Sequence, residues 1–262
     1  MGWCPREGQD QGTSADLAVA YCHVGPDRLL AIGALFFHGK ARSETRCYNS
    51  YIMFDPVSII AVLIALVLAL TLHEFAHALM GHYLGDSTAH DQGRLTLNPL
   101  AHIDPVMTIL MPLLSYVALG IPFGAAKPVP FNPWAVRGGR WGAAMVALAG
   151  PLTNLLLALF FALWLRFIPV GFLGYQILGT MILTNVSLFV FNMIPFPPID
   201  GSRVLYAIAP APVRDVMDRI EGLGVAAILI FFLGIYYLHI GDYVARVVIA
   251  IVKLIAPVGP LP

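Results

Sequence analysis

Residues Thr71-Leu72-His73-Glu74-Phe75-Ala76-His77-Ala78-Leu79-Met80-Gly81 decide how this chain is read. They close an apolar run that begins at Val57 and reads VSIIAVLIALVLALTLHEFAHALM up to Met80. On a helix, residues four apart share a face, so His73 and His77 project together. Glu74 stands about a quarter turn round, within reach of a water held on that face. Two imidazoles and a carboxylate in this pattern form the donor set of a catalytic zinc helix. The alternative is a pair of core histidines satisfied by hydrogen bonds. An apolar span makes that alternative costly, because ionisable groups within lipid are expensive to keep and usually carry function.

The composition agrees with a membrane setting. Of 262 residues, 58% are hydrophobic and only 11% charged, against about 25% charged in soluble domains. The mean hydropathy is +0.78. This is the balance of an integral membrane protein. Fifteen basic residues against fifteen acidic ones give no net charge, which argues against a nucleic-acid surface. Cys4, Cys22 and Cys47 all precede the apolar run, and their odd number indicates no disulfide framework.

Residues 1–52 differ from the rest, with all the cysteines and little periodicity. They are expected to be a dispensable extension, with Met53 as the natural start of a membrane-embedded domain over 53–262. The apolar stretch 57–81 is long enough to span a hydrocarbon core of about 30 Å. Gly85 then caps the helix. Alternation at Arg94-Leu95-Thr96-Leu97 predicts a short strand ended by Asn98-Pro99. Residues 106–121 are apolar but short and broken by Pro112, which suits a thin span or a re-entrant segment. Spans are expected over 141–167, 172–194 and 223–240. Residues 243–256 form either a sixth span or an interfacial helix. The expected fold is an all-α polytopic membrane protein. It has five to six transmembrane helices, a re-entrant or short helix, and a small extended element near the active site.

A catalytic zinc ion needs a third protein ligand. The chain has only Glu7, Glu44, Glu74 and Glu221, and Glu221 lies in a charged stretch. His82 falls off the ligand face, while His90 and His102 lie in a polar connection. Asp200 is the best remaining candidate. It closes Asn192-Met193-Ile194-Pro195-Phe196-Pro197-Pro198-Ile199-Asp200-Gly201, whose prolines stiffen the path into that carboxylate. The competing role for Asp200 is the N-cap of a helix starting near Ser202.

HEFAH in an apolar helix, followed far downstream by the NxxPxxPxDG pattern of 192–201, resembles the site-2 protease family of intramembrane zinc metalloproteases. Ala149-Gly150-Pro151-Leu152-Thr153-Asn154 and Lys127-Pro128-Val129-Pro130-Phe131-Asn132-Pro133 are similar to stretches of its compact bacterial and archaeal members. The resemblance covers roughly residues 54–220, with no inserted PDZ or CBS domain. It implies His73, His77 and Asp200 as ligands of one Zn²⁺ per chain, with Glu74 as general base. It also implies Asn192 as a contact to the substrate backbone or oxyanion, against the plainer role of an interhelical hydrogen bond. Asn154 is assigned mainly to such a bond. The implied substrates are transmembrane segments of other proteins in the bilayer. Nucleic acid is not expected as a partner, and a homo-oligomer is left open.

For Asp200 to meet the zinc helix, the ends of spans 57–81 and 172–194 must lie towards one side, and span 141–167 must run the opposite way. Residues 82–140 then begin and end on that side, which holds Arg94, Lys127, Arg137, Arg140, Arg203, Arg214 and Arg219. By the positive-inside rule it is cytoplasmic, and the protein is expected in a prokaryotic plasma membrane. If extended, Lys127, Val129 and Phe131 present their backbone groups along one edge, with which an unwound substrate could pair; a plain proline-rich loop is the alternative. A transporter, or a catalytically silent membrane scaffold, is the competing functional class. Neither accounts for the HExxH pattern as well.

Overall fold

The computed structural model describes residues 56–102, 129–238 and 240–256. The expectations for residues 1–52, for the segment 106–121 and for Lys127 fall outside these residues. All regular structure among the described residues is helical. Helix α1 covers Pro56–Tyr83, followed by the short α2, Thr88–Asp91, and a 3₁₀ turn at Pro99–His102. Helices α3 (Arg140–Phe167) and α4 (Phe172–Asn192) come next, then α5 (Asp200–Ile208), α6 (Ala211–Gly222), α7 (Val225–Tyr237) and α8 (Ile240–Ile255).

Helix α1 shows why an almost uniformly apolar sequence still has an inside. Ala61, Ala65 and Ala69 recur every fourth residue and are buried, while Ile60, Leu63, Ile64, Val67 and Leu68 are exposed. The small side chains let the neighbouring helix approach, and the large ones face outward as a lipid-contacting surface. Helix α3 repeats the device with buried Ala143, Ala144, Ala147, Ala158 and Ala162. Its second half packs with Ile182, Leu183 and Val186 of α4 and Val244, Val248 and Val252 of α8 into one apolar core.

Among the described residues, three helices are long and apolar enough to cross a membrane, or four if the bent pair α7 and α8 makes one span. The expected segment 106–121 lies outside these residues, and at the C-terminal end α7 has 13 residues and α8 has 16. At 1.5 Å per residue they reach only about 20 and 24 Å, short of a hydrocarbon core of about 30 Å. Their axes differ by 76°, the geometry of a broken span or a re-entrant pair.

The strand expected at Arg94–Leu97 does not form. The Thr96 side chain accepts from Asn98 N–H at 3.1 Å, and the Thr96 carbonyl accepts from His102 Nε2 at 2.9 Å. These local bonds hold a bend where the alternation alone suggested an extended chain. No strand occurs among the described residues, so the extended element near the active site is not seen. Val129 and Phe131 lie in irregular, half-buried backbone.

Candidate metal centre

Three helices bring the site together. Helix α1 supplies His73 and His77 from one face. Helix α3 runs antiparallel to it, placing Val146 and Gly150 beside His77 and Asn154 beside His73. Asp200 arrives from the turn after α4. The backbone N-cap of α5 is Ile199, and Asp200 is the first helical residue with no capping bond. Its carboxylate is spent on the histidines, so the capping role is not the one it takes. Gly201 makes this approach feasible: a Cβ there would lie 2.5 Å from the carbonyl carbon and oxygen of Met193 and 2.7 Å from the Ile194 oxygen. Those are backbone atoms at the end of α4 and cannot yield cheaply.

His73 Nε2 and His77 Nε2 lie 3.0 Å apart. Each is 3.2 Å from Asp200 Oδ2. Whether this set fits a metal turns on where the imidazole protons sit. His77 Nδ1 is 2.7 Å from the Val146 carbonyl, which can only accept. His73 Nδ1 donates to Asn154 Oδ1 at 2.6 Å. The Asn154 amide is oriented by its own donations, to Asn185 Oδ1 at 3.1 Å and to the Ala69 carbonyl at 3.4 Å. Asn185 in turn donates to the Met181 carbonyl at 2.8 Å. With both Nδ1 protons committed, each neutral ring presents a bare lone pair at Nε2.

Two lone pairs and a carboxylate oxygen therefore converge with no proton of their own to share, an arrangement that repels itself unless a cation lies among them. Tetrahedral zinc with bonds of about 2.0–2.2 Å separates its ligand atoms by about 3.4 Å, close to the triangle seen here. As a metal ligand Asp200 would be ionised. Gly150 keeps the space free, since a Cβ there would stand 2.4 Å from His77 Nε2 and 2.7 Å from His73 Cε1. Two nitrogens and one oxygen leave a fourth position open, the pattern of catalytic and not structural zinc. Asp200 retains 25% side-chain exposure while His73 is at 5%, so the cluster is more open on the Asp200 side.

Seven curated proteins match the chain well beyond chance. YwhC of Bacillus subtilis, which bears a zinc metalloprotease name, is 36% identical over 202 residues, covering 73% of this chain and 87% of its own length. The chain belongs to this zinc metalloprotease family. The agreement is with the site-2 protease resemblance drawn from HEFAH and the Asn192–Gly201 pattern. Rip2 of Mycolicibacterium smegmatis, another zinc metalloprotease by name, is 32% identical over 57% of this chain and 59% of its own length. The similarly named MJ0611 of Methanocaldococcus jannaschii is 46% identical over 67 residues, 23% of this chain and 31% of its own. No family model matches the chain. No solved structure matches it either.

Glu74, Val129 and Asn192 have the following partners near this cluster. Glu74 lies beside His73, and its Oε2 accepts the Val129 N–H at 3.1 Å. The proline-rich segment thus runs past the Glu74 carboxylate, although Lys127 lies outside the described residues. Asn192 ends α4 and donates to the Leu188 carbonyl at 2.9 Å, which leaves one amide hydrogen for another partner. Among the described residues the other histidines are engaged elsewhere: His82 stacks on His90 at 5.2 Å, and His102 is tied to Thr96. Glu221 belongs to helix α6, not to a loop, and pairs with Arg203.

Sequence reading undervalued Asn154. It is fully buried and forms the outer support of His73, beyond being a helix-to-helix bond. The available signal was its position: four residues after Gly150, it shares the face that abuts the zinc helix. Outer-shell partners of a zinc histidine typically affect metal affinity about 10–100-fold. Asn154→Leu is expected to weaken zinc binding by about that factor in a chelator competition. Asn185→Leu should cost less, because Asn154 keeps its bond to the Ala69 carbonyl.

Proposed function

We propose that this chain is a zinc metalloendopeptidase that cleaves transmembrane segments of other membrane proteins within the bilayer. The observation that carries the reading is the depth of the ligand set in a membrane-length helix. His73 is ten residues before the end of α1 at Tyr83, or roughly 15 Å along its axis. A centre at that depth serves substrates that share the membrane.

Zinc, when bound by His73, His77 and Asp200, supplies Lewis acidity that lowers the pKa of a water and polarises a peptide carbonyl. Glu74 takes the proton from that water as it attacks the carbonyl carbon, and delivers it to the leaving amine nitrogen. The Val129 N–H on Glu74 Oε2 orients the carboxylate for both transfers. Asn154 and the Val146 carbonyl hold the imidazoles in the tautomer with Nε2 free. The free amide hydrogen of Asn192 is the proposed donor to the developing oxyanion.

A helical substrate hides its carbonyls and must unwind before attack. The basic residues beside this end of α1 favour the cytoplasmic face of a prokaryotic plasma membrane. Lipid and transmembrane substrates are the partners, and nucleic acid is not.

A test is substrate choice. Purified protein in liposomes is offered a single-span protein and an unfolded soluble chain, with and without a zinc chelator. Chelator-sensitive cleavage confined to the single-span protein supports the reading. Equal or preferential cleavage of the soluble chain would refute it.

A further inference from the structure

Asp86 is a covered carboxylate that the proposed chemistry does not use. It is 2% exposed and sits directly after α1, where the chain turns sharply. Gly85 takes a φ of 102°, a left-handed conformation that suits glycine. Gly85 N–H bonds the His82 carbonyl and Asp86 N–H the Gly81 carbonyl, at 3.0 and 2.9 Å. This closes the helix and aims the Asp86 side chain back along it. One carboxylate oxygen accepts from the Thr88 N–H at 3.0 Å and the Thr88 hydroxyl at 2.5 Å. The other accepts the Asn132 backbone N–H at 2.6 Å.

That last bond ties the proline-rich segment to the end of the zinc helix. Three residues before Asn132, Val129 gives its N–H to Glu74. Pro130 lies between the two tethers and Pro133 follows them. A proline fixes its own φ and restricts the residue before it, so displacement at Asn132 is transmitted to Val129. Further along, Arg137 N–H bonds the Leu84 carbonyl at 2.9 Å, and its guanidinium reaches the Tyr83 carbonyl at 2.5 Å. The strap is thereby registered against α1 at three points, and Asp86 supplies the middle one. Burial would raise the Asp86 pKa, but the donations from Thr88 and Asn132 prevail and lower it, so the clasp is charged at neutral pH.

We infer that Asp86 is a positioning residue: it clasps the segment around 129–132 onto α1 and so holds the Glu74 carboxylate in its working orientation. The inference rests on the reading of Glu74 as proton acceptor. Asp86→Asn keeps the shape but sets an amide N–H₂ against the Asn132 N–H or the Thr88 donors. Amide exchange across 129–132, read by mass spectrometry on the full-length protein, should accelerate about tenfold or more. The kcat should fall about tenfold, with KM and bound zinc unchanged.

Unchanged exchange in the variant, or faster exchange with kcat unaltered, would overturn the inference. Loss of zinc together with kcat would also overturn it, by showing a general structural role. The same exchange measured in Glu74→Gln needs no activity, so failure of the clasp and failure of the base assignment give different results. If Asp86→Asn does not fold, the wild type decides: slow Val129 and Asn132 amides support the clasp, and exchange at unprotected rates refutes it.

Discussion

Glu74→Gln is expected to bind zinc as the unaltered protein does, keep its helical fold, and cleave about a thousandfold more slowly or less. General acid–base catalysis contributes about 10²–10⁴ to a rate, and Glu74 is assigned both of its halves here. Gln preserves size, and its carbonyl oxygen can still accept the Val129 N–H that Glu74 accepts at 3.1 Å. What it loses is the capacity to hold a proton. Zinc content by elemental analysis, helicity by circular dichroism and cleavage rate on one preparation make the test. Retained cleavage would remove Glu74 from the mechanism. Lost zinc would mean that the residue is structural to the centre.

Gly150→Ala carries the second large effect. The added methyl carbon would stand 2.4 Å from His77 Nε2, 2.6 Å from His77 Cε1 and 2.7 Å from His73 Cε1. None of these atoms can retreat freely, because His77 Nδ1 is bonded to Val146 and His73 Nδ1 to Asn154. The methyl group and a zinc ion compete for one small volume. Bound zinc should fall towards zero and cleavage with it, while the helices persist. Gly171→Ala is the matched control, since nothing lies within 4 Å of a Cβ there. A Gly150→Ala protein that still binds zinc at full stoichiometry would mean the helices separate more readily than this packing implies.

Much of the centre was legible in the sequence, because HExxH is a local signal: two residues four apart share a helix face whatever the rest of the chain does. The third donor, Asp200, is distant in sequence. It could be reached because so few glutamates compete and because prolines mark its approach. The three long spans were visible for the same reason, as uninterrupted apolar length. Periodicity failed where local bonding or length decides. Arg94–Leu97 alternates like a strand, yet Thr96 binds its own neighbourhood. Helices α7 and α8 are each apolar but too short to cross alone. The outer support of the histidines was hardest to see. Asn154, Asn185 and Asp86 act through partners tens of residues away, and a single buried amide looks the same in sequence whether it joins two helices or orients a ligand.

On the proposed function, the wider arrangement answers one physical demand. A peptide bond inside a membrane protein's helix is shielded by lipid and by its own hydrogen bonds. An enzyme for such bonds needs water, a metal and a base at membrane depth, all of which are costly there unless fully partnered. Here Asn154, Asn185 and the Val146 carbonyl hold His73 and His77, and those two with Asp200 would be partnered by the metal they converge on.

The most direct measurement is the position of the cut. A single-span substrate is incubated with the protein in liposomes, and the products are mapped by mass spectrometry, with Glu74→Gln as the control. The account predicts a chelator-sensitive cut inside the substrate's apolar segment, absent in the control. Cuts confined to the water-exposed flanks would contradict it.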